Sequence, residues 1–220
     1  MPKQFKMLTG SERLKYNGVD LPFSILNYWQ LNLSVLLLNV NRGGFAEYLV
    51  SCALSEVMED ALIQVKTGME AWDVDGPEIV LPDGIRSSRI EVKSTASVQI
   101  DTPDEKEPIA LPANRLVFSI RKAVDYSGSD FEARRNNDLY VFAHYKATRK
   151  SDNILDLNLW DFYVYPTFMI DENPSLAKQK TLSIKRLQML GVKSHGFETL
   201  CQAILETQKQ ISDHFMNRQG

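Results

Sequence analysis

The chain has 220 residues, of which 44% are hydrophobic and 24% charged, and its formal net charge is −3. That length can bury a sizeable core in one domain, and the balance of residues excludes a disordered or low-complexity chain. The charge gives no global sign of nucleic-acid binding and does not exclude it, because phosphate binding depends on local basic patches.

Two features indicate the compartment in which the protein works. Cys52 and Cys201 lie in apolar, helix-like segments without metal-ligand spacing, and residues 1–15 contain no apolar signal segment. We therefore expect a reduced, cytoplasmic protein. The leucine-rich stretch 21–40 is interrupted by several asparagines, which predicts an ordinary helix and no membrane partner.

Two helices are predicted near the start of the chain. Ser24 can cap a helix that runs to about residue 38, and the sequence NRGG at 41–44 breaks it. A second helix is predicted over 45–58. Residues 1–40 are therefore expected to form an N-terminal helical segment packed on the core.

The middle of the chain is rich in predicted strands. Strand-like segments lie at 63–66, 71–75, 78–81, 89–94, 116–120, 139–145 and 162–165. The turn sequence Pro82-Asp83-Gly84 predicts an antiparallel hairpin between the two strands that flank it. Helices are predicted at 183–190 and 197–216. This order predicts an α+β or α/β fold with one central sheet, in which 41–170 form the core and 171–220 add C-terminal helices to the same domain.

The strand "RIEVKSTAS" at 89–97 carries two charges of opposite sign on one face. Residues i and i+2 of a strand share a face, so Glu91 and Lys93 point one way while Ile90 and Val92 point into the core. An acidic-x-Lys triplet is also common as solvent-facing decoration, and 104–106 is such a triplet in a polar loop. The residues that lie opposite this strand therefore decide whether Glu91 and Lys93 belong to a functional site or are ordinary surface charges.

The hairpin register predicts which carboxylate joins this pair. A turn centred near residues 84 and 85 puts Asp75 opposite Ser94, close to the Glu91–Lys93 end of the partner strand. Asp83 is rejected as a ligand because it sits in the turn, roughly 20 Å along the strand. Asp73 has the same parity as Asp75 and is the second choice.

The second predicted helix supplies a third carboxylate, Glu47. Its position in the first turn after Gly44 also fits a simple interaction with the helix dipole. Together with Asp75 and Glu91 it offers hard oxygen ligands suited to Mg²⁺, for which Mn²⁺ can substitute. A lysine beside such a site can orient a water and neutralise charge in the transition state. These groups predict phosphodiester hydrolysis.

These residues resemble the PD-(D/E)XK nuclease superfamily. Its pattern is a helical Glu, an Asp on a strand and (D/E)-x-K on the next strand, matched here by Glu47, Asp75 and 91–93, with Val74 where the pattern has proline. The segments "NRGGFAEYLVSCAL", "WDVD", "LPDGIRSSRIEVKSTAS", "NDLYVFAHY" and "LWDFYVYPT" resemble an uncharacterised bacterial branch of it. The resemblance implies an α/β, restriction-endonuclease-like core, with a central mixed β-sheet flanked by helices.

The resemblance also implies roles for polar residues around the site. Gln99 is expected to contact the water or the scissile phosphate, although a solvent-facing loop glutamine fits equally well. Ser94 follows the triplet, where members of the superfamily often have a polar residue. Phosphate contacts are expected from Ser94 and from five arginines, each of which could also be an ordinary surface charge: Arg42, Arg86, Arg115, Arg134 and Arg135.

The sequence thus predicts a Mg²⁺-dependent nuclease that hydrolyses DNA, an endonuclease of restriction or phage-defence type. One alternative is a catalytically silent nuclease-like module for DNA binding or protein interaction. Another is a structural α/β protein whose charged strand is decoration. Since cutting both strands usually needs two sites, a homodimer is expected from the function.

Overall fold

The computed structural model describes residues 7–62, 71–100, 111–126 and 131–218. The predicted strand at 63–66 therefore lies outside the described residues. Among the described helices, none is long and apolar enough to cross a membrane.

The N-terminal segment begins with a β-hairpin, which differs from the predicted all-helical segment. Strand β1 (Arg13–Tyr16) pairs antiparallel with β2 (Val19–Ser24). Asn17 and Gly18 connect them, both with positive φ (51° and 79°), as a two-residue Asn-Gly hairpin turn requires. Helix α1 (Ile25–Leu33) follows.

The helix predicted over 24–38 is too long, because α1 ends at Leu33. The side chain of Asn41 explains the end: its amide donates to the carbonyls of Asn32 and Val35, 3.1 Å from each. These bonds satisfy carbonyl groups that a continuing helix would have used itself.

Helix α2 (Asn39–Leu54) begins before the NRGG sequence that was predicted to break it. Arg42 holds this first turn, because its guanidinium donates to the Asn39 side chain at 2.7 Å and to the Leu37 carbonyl at 3.2 Å. Each glycine inside a helix costs about 1 kcal/mol relative to alanine, and these bonds offset that cost.

A four-stranded sheet forms the centre of the protein, in the order β3-β4-β6-β7. Its strands are β3 (Val74–Leu81), β4 (Gly84–Ala96), β6 (Leu139–Tyr145) and β7 (Trp160–Pro166). The outer pairs are antiparallel and the β4–β6 pair is parallel. The predicted mixed α/β fold with a central mixed sheet flanked by helices is confirmed at this level.

The two faces of the sheet are covered differently. Helices α2 and α5 (Phe197–Met216) pack on one face, against buried residues such as Val92 and Val141. The other face carries aromatic residues such as Phe142. It is covered by strands β5 (Val117–Ser119) and β8 (Thr181–Ser183) and helices α3 (Thr167–Asp171) and α4 (Ile184–Met189). Because both faces are covered, every residue of β6 is buried.

The hairpin of β3 and β4 is antiparallel as predicted, but its register is not the predicted one. Asp75 pairs with Arg89 and not with Ser94. The turn is earlier, since Leu81 already pairs with Gly84, and the register shifts again between Gly76 and Glu78. Pro77 lies at this shift and has no N–H to donate to the ladder, so the strand bulges there.

Candidate active site

The observed register brings Asp73 to the Glu91–Lys93 pair. The Lys93 ammonium contacts Glu91 Oε1 and also lies 3.4 Å from Asp73 Oδ2. The backbone N–H of Val92 donates to the same Asp73 oxygen at 2.8 Å, and the Asp73 N–H donates to the Ile90 carbonyl at 3.0 Å. Asp73 is therefore fixed to strand β4 through both its backbone and its carboxylate.

The three side chains lie at the boundary between core and solvent. Their exposed fractions are 31% for Lys93, 25% for Asp73 and 20% for Glu91. Tyr140 on β6, the register neighbour of Glu91, is buried beside them. The charges are therefore partly desolvated, which strengthens their mutual interaction, while a ligand from solvent can still reach them.

The pKa values of Glu91 and Lys93 reflect the crowding of carboxylates at this site. Burial raises the pKa of Glu91, the charges of Asp73 and Glu47 raise it further, and Lys93 only partly offsets this. Burial lowers the pKa of Lys93, but Asp73 and Glu91 outweigh it and leave the pKa raised. Lys93 is therefore an ammonium at neutral pH, and the carboxylates gain from any cation placed between them.

Asp75, the predicted strand ligand, has a different partner. Its Oδ1 accepts a 2.7 Å hydrogen bond from the Trp72 indole. The guanidinium of Arg89, its cross-strand neighbour, lies 4.5 Å from the centre of the Trp72 ring. The structure thus brings Asp73, the second choice, to Lys93 in place of Asp75. The predicted register fails because the turn is earlier and Pro77 adds a bulge.

Glu47 lies on α2, and its charge acts on Glu91. Because α2 starts at Asn39, Glu47 is more than two turns into the helix. The helix-dipole explanation does not apply there, since that effect is confined to the first turn. The charge of Glu47 is the smallest of the contributions that raise the pKa of Glu91, and its place in a metal site stays a prediction.

Gln99 lies beyond the end of β4. Its amide donates to the Ala96 carbonyl at 3.1 Å and accepts from the Arg42 guanidinium at 3.2 Å. Arg42 is only 3% exposed, so the pair connects the start of α2 to the end of β4. This position does not fit the expectation that Arg42 contacts phosphate, because the guanidinium is enclosed by protein.

Arg135, another predicted phosphate contact, is also buried. It contacts the Asp171 carboxylate and donates to the carbonyls of Ile120 and Gln179, at 2.9 and 3.1 Å. Its donors are directed inward, so the expected phosphate contact does not fit here either.

The remaining predicted DNA contacts differ in accessibility. Arg86 forms a two-pronged pair with Asp138, with N–O distances of 2.7 and 2.8 Å. Arg115 and Arg134 are exposed. Ser94 is half-buried and, by the alternation of the strand, lies on the face opposite Lys93. Of the predicted set, Arg115 and Arg134 are therefore the arginines best placed to meet a polyanion.

Sequence reasoning missed Trp72 and Tyr140. The residue directly before Asp73 is Trp72, whose indole N–H donates to the Asp75 carboxylate. Burial and the charge of Glu91 raise the pKa of Tyr140, which keeps its hydroxyl protonated beside the site. The apolar run 139–145 identifies Tyr140 as a strand residue, but only the parallel β4–β6 register puts it next to Glu91.

Asp73 and Glu91 are the residues suited to hold a metal. Within the described ranges no group of three or more His, Cys, Asp or Glu side chains is arranged to enclose an ion. Mg²⁺ commonly needs only one or two carboxylates, with water and substrate phosphate completing its shell. Asp73 Oδ2 and Glu91 Oε1 both contact Lys93, so two oxygen donors of the kind that Mg²⁺ or Mn²⁺ prefers lie around one cationic group.

No protein-family model, no curated protein and no solved structure matches the chain.

Proposed function

We propose that this protein is a Mg²⁺-dependent nuclease that hydrolyses DNA phosphodiester bonds, an endonuclease of restriction or phage-defence type. The observation that carries the proposal is the contact of Lys93 on β4 with Glu91 on the same strand and with Asp73, which lies just before the edge strand β3. Crowded carboxylates beside a lysine in a partly desolvated site are the groups that phosphodiester hydrolysis needs.

Each residue has a distinct task in this proposal. Asp73 and Glu91 would hold the metal, and Glu47 adds negative charge near it. A bound Mg²⁺ supplies Lewis-acid stabilisation of a phosphate oxygen and lowers the pKa of water. Lys93, charged at neutral pH, neutralises negative charge that develops on the phosphate. The Asp73–Val92 hydrogen bond keeps the aspartate in place while this happens.

Exposed basic residues support a polyanionic substrate. Arg115 and Arg134 are exposed, and so are Arg121 and Lys122. Phosphate contacts of this kind orient the duplex and carry no sequence information. The proposal of DNA as the substrate rests on the sequence resemblance together with these cations.

Two neighbouring aspartates provide a matched test. Cleavage of supercoiled plasmid would be measured with Mg²⁺, Mn²⁺ or EDTA for the wild type and for Asp73→Asn, Lys93→Ala and Asp75→Asn. We expect metal-dependent cutting by the wild type, a loss of about 100-fold or more in Asp73→Asn and Lys93→Ala, and a change of only a few-fold in Asp75→Asn. Both Asn substitutions remove one charge from the same strand region, so a general charge effect would reduce both equally.

Two results would contradict the proposal. A wild type that cuts neither strand with either metal would favour a catalytically silent module, which a DNA-binding assay would then identify. Full activity in Lys93→Ala would show that cutting arises elsewhere. Thermal unfolding of each variant checks that a loss of activity is not a loss of fold.

A further inference from the structure

Helix α1 has the composition of a core helix but is not buried. None of its nine residues, ILNYWQLNL, all within the described part of the chain, is buried. Leu31 is 84% exposed and Tyr28 57%. A helix this short is not stable by itself in water, so its apolar residues need a covering surface.

The preceding hairpin extends this apolar surface. Backbone bonds of 3.0 Å join α1 to the chain before β1, from Ile25 to Glu12 and from Leu26 to Gly10. Together the hairpin and helix present seven large apolar residues that are each at least half exposed. We name them the N-terminal surface: Leu14, Tyr16, Val19, Phe23, Tyr28, Leu31 and Leu33.

The exposed area of the N-terminal surface is comparable with one side of a protein–protein interface. At roughly 200 Å² for a large side chain, the exposed fractions of the seven residues sum to at most about 850 Å². A standard protein–protein interface buries about 800 Å² on each partner. Apolar patches of this size on a single chain mark interaction sites.

The charge pattern indicates what covers this surface. From residue 21 to residue 41 the chain contains no Asp, Glu, Lys, Arg or His, although 24% of all residues are charged. In the hairpin, Lys15 and Asp20 pair with each other at 3.0 Å, and strand alternation puts them on the face opposite Tyr16 and Val19. In a two-fold symmetric dimer the same patch meets itself, so a charge near the two-fold axis would lie close to its own copy. A neutral patch avoids that repulsion and needs no oppositely charged partner, and the centres of protein interfaces are depleted in charged residues.

A membrane fits this surface less well. Helices that lie in the membrane interface usually carry Lys or Arg on their polar side. The polar residues of α1 are Asn27, Gln30 and Asn32, which are uncharged amides. Such side chains hydrogen-bond well across a protein interface but are not attracted to anionic lipid.

We propose that the N-terminal surface is a homodimer interface, in which a second copy of this chain packs its own hairpin and α1 against those of the first. This inference does not depend on nuclease activity. If both are correct, the dimer carries two copies of the Asp73–Glu91–Lys93 site, as cutting both strands usually needs.

The test is the mass of the full chain in solution, measured by sedimentation equilibrium at micromolar concentrations. We expect the wild type at twice the chain mass of 25.1 kDa. Leu31→Lys and Val19→Lys should each weaken association at least tenfold, because each puts a like charge on both halves of the interface. Both side chains are largely exposed, at 84% and 66%, so neither change disturbs the fold of one chain.

Met189→Lys is the matched control, because Met189 is 67% exposed on α4, away from this surface; it should keep the mass of the dimer. A wild type that is monomeric throughout would overturn the proposal, whether or not it then binds lipid vesicles. A dimer that both Leu31→Lys and Val19→Lys leave intact would overturn it too. The mass is read without DNA or metal, so failure here leaves the proposed nuclease activity to its own test.

Discussion

The backbone N–H of Val92 donates a 2.8 Å hydrogen bond to the carboxylate of Asp73. Asp73 lies just before the first residue of β3, while Val92 lies in the middle of β4. One bond therefore anchors a carboxylate from outside the regular strand directly beside Glu91 and Lys93. The candidate site depends on this anchor, because the bond holds the Asp73 carboxylate where the Lys93 ammonium reaches it.

The first prediction concerns metal binding. Mg²⁺ or Mn²⁺ well above its dissociation constant should raise the melting temperature of the wild type by about 5 °C or more, because the ion binds the folded chain alone. Glu91→Gln should abolish this rise, since it removes one of the two carboxylates proposed to hold the ion. Differential scanning calorimetry with and without EDTA measures both.

Glu78→Gln is the control for the metal experiment, because Glu78 is an exposed carboxylate on the neighbouring strand β3. It should retain the full stabilisation. Equal loss in both variants would indicate general binding of cations to an acidic surface.

The second prediction compares two lysines that each contact an aspartate. Lys93→Met should lower the free energy of unfolding of the metal-free protein by about 2 kcal/mol, because it leaves Asp73 and Glu91 crowded and partly buried without a cation. Lys146 lies 2.7 Å from Asp161 with 40% of its side chain exposed. Lys146→Met should therefore cost less than about 1 kcal/mol.

Urea unfolding in the presence of EDTA measures both lysine variants. Similar losses would show that the Lys93 contacts have no more effect on stability than an ordinary surface pair. A smaller loss for Lys93→Met when Mg²⁺ is added would agree with a metal replacing part of the lysine's charge.

The third prediction concerns acid stability. His144 is buried, and its ring lies 3.0 Å from the Ser97 hydroxyl. Burial lowers its pKa from 6.5 to about 4, with Asp161 acting in the opposite sense and Lys146 adding to the decrease. Between these two pH values the unfolded chain binds the proton more readily than the folded chain, so this contribution to stability is complete above pH 6.5 and is lost as the pH falls toward 4.

The wild type should therefore lose about 2 kcal/mol more than His144→Gln when the pH is lowered from about 7 to about 4.5. The glutamine amide can still hydrogen-bond Ser97 but does not titrate, and the other titrating groups are common to both proteins. Urea unfolding at the two pH values gives the difference, and parallel losses would show that His144 does not titrate in this way.

The sequence by itself identifies several elements because their patterns are local. The apolar run 139–145 and the helix 197–216 have the bounds of β6 and α5. Ile90 and Val92 are buried and Glu91 and Lys93 are not fully buried, as the alternation of a strand requires. The Asn17-Gly18 turn is a local signal as well, although the sequence prediction assigned that region to the helical segment.

The tertiary structure alone decides which groups meet. The predicted register puts Asp75 opposite Ser94, whereas the structure pairs Asp75 with Arg89 and brings Asp73 to Lys93. A turn that begins earlier and a bulge at Pro77 cause this change. Such small shifts decide which residues face each other, because a shift of one residue displaces the strand by about 3.3 Å along its partner.

Burial of charge and exposure of apolar residues are equally hidden from the sequence. In the sequence, Arg42 and Arg135 have the character of surface cations, but protein encloses both of them. Helix α1 has the composition of a core helix, but it lies exposed. The periodicity of apolar residues shows which face of a helix or strand is apolar and which is polar. Whether the apolar face is buried depends on long-range packing, which only the folded chain determines.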